Sequence, residues 1–376
     1  MGGFRGAALD TGLDKWLSTR GLDTGASTRG WRSGKAGGIG FQERGVTNEG
    51  MERVASSAGT GGDAPSRADV ARHVTLVTVA YNSAEALRWQ GAHSARLPGL
   101  VVDNGSSDAT QAAARERGLG ILAFEVNCGF GRGVMAGLAA VTTEFALVIN
   151  PDAAMSEDAV AALLAAAERY PDCALFVPRI VNETGKVFFR VDSALEPRQK
   201  HRRPPDGDAC IAMLSGAVML VRVAPFLAFG GFDPAIFLYF EDDELAFRYR
   251  AARRPIIYVA EAEAVHLGNR SSGPSARPAA KSNRVKDISF GWSHAYVMEK
   301  IGRGAGRGSR ALAVLRLAGS MAVCLVSGRF GKLRREAYRL EGFVRRLHGR
   351  PAPFLPQGEP GCVALDLPHA MVSEES

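Results

Sequence analysis

From Val74 onward, short runs of β-branched and apolar residues alternate with segments of helical length, and this alternation restricts the fold more than any other feature. The first run, Val-Thr-Leu-Val-Thr-Val-Ala at residues 74–80, has the near-continuous apolar character of a strand covered on both faces. A helix is expected over residues 84–97 and a second strand over 99–103. A further helix should be capped by Ser106 or Ser107, run through Arg117 and stop at Gly118. Strands over residues 121–125 and 145–150 then flank a helix over 133–141, and Ser156 caps an alanine-rich helix over 157–169. The sheet should resume at 174–181, again at 211–221 and at 256–259, where an Ala-Glu-Ala-Glu-Ala turn follows. Such alternation predicts an α/β fold: a single doubly wound, mostly parallel sheet that binds ligands beyond the carboxyl ends of its strands.

The ends of the chain are different. Residues 1–69 contain 16 glycines, charges of both signs and no sustained period, so residues 1–72 are expected to be disordered. They also lack the apolar core of about 7–15 residues that a secretory signal carries. Residues 73–295 form the expected catalytic domain, 296–350 a basic amphipathic helical segment and 351–376 a flexible tail. Residues 301–350 hold 12 Lys and Arg against Glu336 and Glu341, a local excess of +10 in a chain of net charge +7, which leaves −3 elsewhere. A body without general basic character argues against a nucleic-acid partner, and basic residues interleaved with apolar ones suit an anionic membrane surface. The longest apolar run, 311–327, is interrupted by Arg316 and falls short of the roughly 20 residues that span a bilayer. It fits either interfacial docking or a packed helical pair with a solvated basic face. Five cysteines, odd in number and without a Cys-x-x-Cys pair, point to a reducing compartment, so the expected location is the cytoplasm, at the inner face of the plasma membrane.

Residues 237–248, Phe-Leu-Tyr-Phe-Glu-Asp-Asp-Glu-Leu-Ala-Phe-Arg, set four consecutive acids between aromatic and apolar neighbours. Mutual repulsion and partial desolvation raise proton affinity, which suits general-base work. Asp242 is the candidate base, with Glu241, Asp243 and Glu244 orienting an acceptor or tuning it. A solvated acidic turn at a helix N-terminus is the alternative.

Other motifs stand in a fixed order around this stretch. Thr78-Val79-Ala80-Tyr81-Asn82 comes first, followed by Val101-Val102-Asp103-Asn104-Gly105-Ser106-Ser107-Asp108 and Asn127-Cys128-Gly129-Phe130-Gly131. Asn150-Pro151-Asp152 and His266-Leu267-Gly268 complete the set. Over about residues 74–300 this series resembles the inverting family 2 glycosyltransferases, most strongly a rhamnosyltransferase-like branch. The resemblance implies an A-type glycosyltransferase fold, a dTDP- or UDP-sugar donor and a glycan or lipid-linked acceptor in cell-surface polysaccharide synthesis. It assigns Ala80, Tyr81, Asn82, Asp103, Gly131 and Asn150 to the nucleotide, with Asp103 facing the base. Asp152 and His266 are assigned to Mg²⁺ or Mn²⁺. Two departures stand out: Asn150 replaces the first acid of the family's Asp-x-Asp, and Met135 stands where an asparagine is usual. Arg270 fits leaving-group stabilisation or a surface role equally. A nucleotidyltransferase should carry basic residues in the first loop, and residues 78–83 have none; a non-catalytic sugar-nucleotide binder would keep Asp103 and lose the base.

Overall fold

The computed structural model describes residues 70, 72–190, 203–268, 283–303, 306–356 and 362–365. The glycine-rich segment before residue 70, residues 191–202, Arg270 with Ser271 and Ser272, and the tail beyond 365 lie outside the described residues.

The amino half alternates as its sequence requires. β1 (Val74–Ala80) leads to α1 (Ala84–His93), β2 (Gly99–Asn104) to α2 (Thr110–Glu116), and β3 (Gly120–Phe124) to α3 (Phe130–Ala139). β4 (Phe145–Ile149), β5 (Ala153–Met155), α4 (Glu157–Arg169), β6 (Leu175–Val181) and β7 (Val187–Phe188) follow. After β8 (Ala209–Cys210) come β9 (Val218–Arg222), α5 (Val223–Ala228), α6 (Glu241–Ala251) and β10 (Ile257–His266). The chain closes with α7 (Arg284–Lys300), α8 (Arg307–Val326), α9 (Phe330–Leu347) and β11 (Cys362–Leu365).

All the strands join one 11-stranded sheet with the path β11-β3-β2-β1-β4-β9-β6-β10-β5, from which β7 and β8 branch. β1, β2, β3 and β4 are mutually parallel, and β6 is parallel to β10; β9 enters antiparallel between β4 and β6, so the long strands run mostly one way. Alternate strand residues face opposite layers. Leu76, Val101 and Leu147 pack under α1, α2 and α4, whereas Val77, Val102 and Val148 pack under α3, α5 and α6. The sheet is therefore doubly wound, with a core on each face.

Three local expectations differ from the structure. The Ala-Glu-Ala-Glu-Ala segment is not a turn: β10 continues through it across a register shift between Val259 and Glu263. Ala262 and Ala264 are fully buried while Glu261 and Glu263 face outward, the period-2 pattern of a strand with small residues inside. Ser106 and Ser107 do not cap α2, whose cap is Ala109. They tie the β1 loop instead, Ser106 Oγ accepting the Asn82 N–H at 2.9 Å and the Ser107 N–H reaching Asn82 Oδ1 at 2.8 Å. Within the expected tail, residues 362–365 pair with β3 as an edge strand. Ser156 does cap α4, accepting the Ala159 N–H at 3.1 Å.

α7 lies against α9, joined by Arg346 to Glu299 at 3.0 Å and by the Trp292 indole N–H to the Arg350 carbonyl at 3.0 Å. α7 also forms the wall behind the acidic stretch, through Phe240 on Phe290 at 4.9 Å between ring centres.

Candidate active site

The acidic stretch is launched by an unusual backbone. Tyr239 and Phe240 both adopt left-handed conformations, φ 69° and 66°, which cost non-glycine residues about 1–3 kcal/mol each. Packing of Phe240 with Ile236 and Val297, and the Ser293 hydroxyl donating to the Leu238 carbonyl at 2.9 Å, hold them there. The turn aims the first residues of α6 into the sheet's end.

Once helical, the four acids no longer share one site, because successive residues point about 100° apart. Asp242 Oδ2 accepts the Gly216 N–H at 2.9 Å. Asp243, 3% exposed, takes Arg190 Nη2 on both oxygens at 3.1 and 3.0 Å. Glu244, 1% exposed, is bound by Arg248 at 2.6 and 2.9 Å and by Lys300 at 2.6 Å. Lys300 also holds Asp233 at 2.6 Å, and the Tyr296 hydroxyl donates to Asp233 at 2.9 Å, so α7 is bolted to α6 through a buried polar network. Burial works against Asp233, but the Lys300 ammonium and its hydrogen bonds hold the carboxyl below its usual range.

Burial separates the first two acids in proton affinity. It pushes Glu241 up to about 8, with the Asp242 charge adding to the effect. Asp242 rises to about 6: burial raises it, the Gly216 N–H and Arg190 partly offset that, and Asp243 adds to it. Both carboxyls are thus raised, Glu241 further than Asp242, and unequal proton affinities let adjacent carboxyls take different roles. Among the described residues Asp242 Oδ1 accepts no hydrogen bond. It occupies the space opened by the missing side chain of Gly216, where a Cβ would lie 2.5 Å away.

The opposite end of the site carries the other motif residues. Asp103, at the end of β2 and 1% exposed, accepts the Ser106 N–H at 3.0 Å and the Gln111 amide at 2.7 Å. Each carboxylate oxygen keeps a second lone pair for a further donor. Ala80 ends β1 in full burial, Tyr81 beside it is exposed, and Asn82 braces the Ser106–Ser107 loop. Gly131 lies within the first turn of α3. Met135 is buried in the core beneath α3, so that turn offers no polar contact there.

Pairing of β5 with β10 sets Asp152 beside His266, Oδ1 to Nε2 3.3 Å. Two ligands of one octahedral cation at about 2.1 Å lie about 3.0 Å apart, so a hard carboxylate oxygen and an imidazole nitrogen at this spacing fit a divalent ion. Among the described residues no group of three or more His, Cys, Asp or Glu is placed to hold a metal.

The two ends meet at adjacent residues. Gly216 donates to Asp242, and the next carbonyl, that of Ala217, accepts the Asn150 N–H at 2.8 Å, so the acid and the Asn150-Pro151-Asp152 turn hang from adjacent residues. On the other side, Gly129 at φ 89° lets the Phe237 backbone come so close that any Cβ would collide with it, and the Phe130 N–H bonds the Phe237 carbonyl at 3.3 Å. Sequence reasoning missed Gly216, Arg190, Gln111, Asp233 and Lys300. Only Asp233 carried a signal, in Gly-Gly-Phe-Asp just before the acids.

A family model for "Glycosyl transferase family 2" matches residues 76–226. N-acetylglucosaminyl-diphospho-decaprenol L-rhamnosyltransferase from two strains of Mycobacterium tuberculosis is 31% identical over 232 residues, which cover 51% of this chain and 76% of the relative. Solved structures with similar folds include GalNAc-T7 with UDP, GalNAc and Mn²⁺, at TM-score 0.47 and 12% identity, covering 66% of this chain and 54% of that one. They also include a mannosyltransferase from Pyrobaculum calidifontis with GDP-Man and Mn²⁺, at TM-score 0.43 and 16% identity, covering 79% and 93%. With the mycobacterial relative 31% identical and matched over three quarters of its length, and the family model matched over residues 76–226, the chain belongs to glycosyl transferase family 2 and is a glycosyltransferase.

Proposed function

We propose that the protein is an inverting transferase that moves a sugar, rhamnose foremost, from a dTDP- or UDP-sugar to a hydroxyl of a glycan or lipid-linked acceptor in cell-surface polysaccharide synthesis. The observation that carries this reading is Asp242: a carboxyl with unused acceptor capacity on Oδ1, held by Gly216, the neighbour of the residue that holds Asn150. Asp242 takes the proton of the acceptor hydroxyl as its oxygen attacks the anomeric carbon from the face opposite the diphosphate. The new carbon–oxygen bond forms as the bond to the diphosphate breaks, and the configuration inverts without a sugar–enzyme intermediate. General-base assistance of this kind contributes about 10²–10⁴-fold. Asp103 accepts the imide N–H of uracil or thymine, and Asn150 faces the ribose. Mg²⁺ or Mn²⁺ between Asp152 and His266 would supply Lewis-acid neutralisation of the leaving diphosphate. Rhamnose and a lipid-linked acceptor are favoured by the mycobacterial relative, whose name specifies both.

The acceptor's lipid gives α8 a role. No described helix is long and apolar enough to cross a membrane. Yet Leu312, Leu315, Val323 and Val326 form an exposed stripe at helical spacing, Val326 being 90% exposed, on the side away from buried Cys324. Arg316 on the same helix and Arg329, Lys332 and Arg334, which follow it closely in the chain, are all exposed. An apolar stripe edged by cations docks on an anionic leaflet, each charge adding about 1 kcal/mol. The docked face would be that of the cytoplasmic leaflet.

The test is a transfer assay with dTDP- and UDP-sugars, Mg²⁺ or Mn²⁺ and a polyprenyl-diphosphate-linked GlcNAc acceptor, with the product's anomeric configuration read by NMR. Inverted rhamnoside is expected; a retained anomer overturns the mechanism. Binding to anionic vesicles that falls with salt and with Val323→Asp/Val326→Asp tests docking, whereas truncation would strip α9 from α7.

A further inference from the structure

Asp242 and Asp243 are adjacent in the first turn of α6, and among the described residues a cation from a distant part of the chain faces both. Arg190 lies two residues beyond β7, 53 positions from Asp243. Its Nη2 donates to both Asp243 oxygens at 3.1 and 3.0 Å, and its Nη1 stands 3.7 Å from Asp242 Oδ2, the oxygen that also takes the Gly216 N–H. The Arg190 side chain is 25% exposed, the Asp242 side chain 19% and the Asp243 side chain 4%, so the group reaches in from the open side of the site to a carboxylate that is almost wholly enclosed.

We propose that Arg190 is a positioning residue for the base: it neutralises Asp243 and, with Gly216, fixes Asp242 Oδ2, leaving Oδ1 to the acceptor. This rests on Asp242 being the base. Without the guanidinium, Asp242 would lose an opposite charge 3.7 Å away, and its carboxyl would regain a proton more readily or turn toward water. Among the described residues, other titratable groups stand near the pair. Glu241 neighbours Asp242 on α6, and His294 of α7 senses the Asp243 charge. Arg248 and Lys300 are engaged with Glu244, and Phe130 from α3 brings only a ring. A planar fork is suited to this task, since one arm can grip Asp243 while the other stands beside Asp242.

The experiment compares the pH dependence of kcat/KM for acceptor in wild type, Arg190→Gln, Arg190→Lys and Asp242→Asn, with donor affinity measured by calorimetry on each preparation. The wild-type acid limb should lie near pH 6, the value to which Asp242 is raised. Loss of an opposite charge at this range raises a carboxyl by about 1–3 units, so Arg190→Gln should move the limb up by that amount and slow the reaction at pH 7 by about 2- to 90-fold. Donor affinity should stay unchanged. Arg190→Lys, which keeps the charge and loses the fork, should return the limb toward wild type with kcat still reduced, and it carries the test if the glutamine variant does not fold. An acid limb of Arg190→Gln that coincides with wild type overturns the proposal, as does weakened donor binding with the limb unmoved. If the limb survives in Asp242→Asn, Asp242 is not the base, and the underlying reading fails separately.

Discussion

Replacing Gly216 by alanine adds one methyl group at the point where the base is seated. The backbone there is one that alanine can adopt, so the effect is local. The new Cβ would lie 2.5 Å from Asp242 Oδ1, 3.3 Å from its carboxyl carbon and 3.3 Å from the Phe130 ring. Ordinary carbon–oxygen contacts run about 3.3–3.6 Å, so the oxygen must retreat by roughly 1 Å. The Phe130 ring bounds the same space, and the easiest escape swings the carboxylate away from the Gly216 N–H that Oδ2 accepts at 2.9 Å. Misplacing a catalytic group by about 1 Å costs about 10²-fold, or roughly 2.7 kcal/mol in barrier. Gly216→Ala should therefore lower kcat by about 100-fold and leave donor affinity within about twofold of wild type. Stability should change by less than about 1 kcal/mol, because no core side chain is removed. Steady-state turnover, donor calorimetry and urea denaturation on one preparation separate these quantities. A Gly216→Ala enzyme with near-wild-type kcat would refute the reasoning, since it would show that Asp242 need not occupy this position.

Asp152→Ala and His266→Ala should each raise the Mg²⁺ or Mn²⁺ concentration for half-maximal activity by at least about tenfold; full activity in excess chelator would remove the cation from the site. Glu241→Gln tests the raised carboxyl by linkage. Because the folded-state value, about 8, lies above the unfolded value of 4.5, the native state keeps a proton that the unfolded chain releases, and stability falls as pH rises between them. Glutamine lacks this loss, so in urea denaturation its stability relative to wild type should grow by more than about 1 kcal/mol from pH 5 to pH 8. A constant difference would show that Glu241 titrates normally.

How much of this could be read without coordinates follows from the range of each interaction. β1, β2 and β4 announce themselves in β-branched runs, and the Ser156 cap of α4 lies within three residues of its partner. The strand through residues 260–264 was hidden because alanine and glutamate are weak strand formers, and only their alternation marks it. Ser106 and Ser107 were misassigned because they bond Asn82, more than twenty positions upstream, in place of the next helix. The acidic stretch was visible as composition, but its division among Gly216, Arg190 and Lys300 depends on partners 26, 53 and 56 residues away. No local period encodes such pairings. The left-handed Tyr239 and Phe240 were equally silent, since aromatic residues seldom take that conformation and do so here only because α7 packs against them.

The central claim, that Asp242 is the base, is tested most directly by measuring transfer and donor binding together in Asp242→Asn. Asparagine keeps the side-chain volume and an oxygen for the Gly216 N–H, so folding and donor affinity should match wild type. It cannot take a proton, and transfer should fall by about 10²–10⁴-fold. Turnover within a few-fold of wild type, with donor affinity unchanged, would contradict the account.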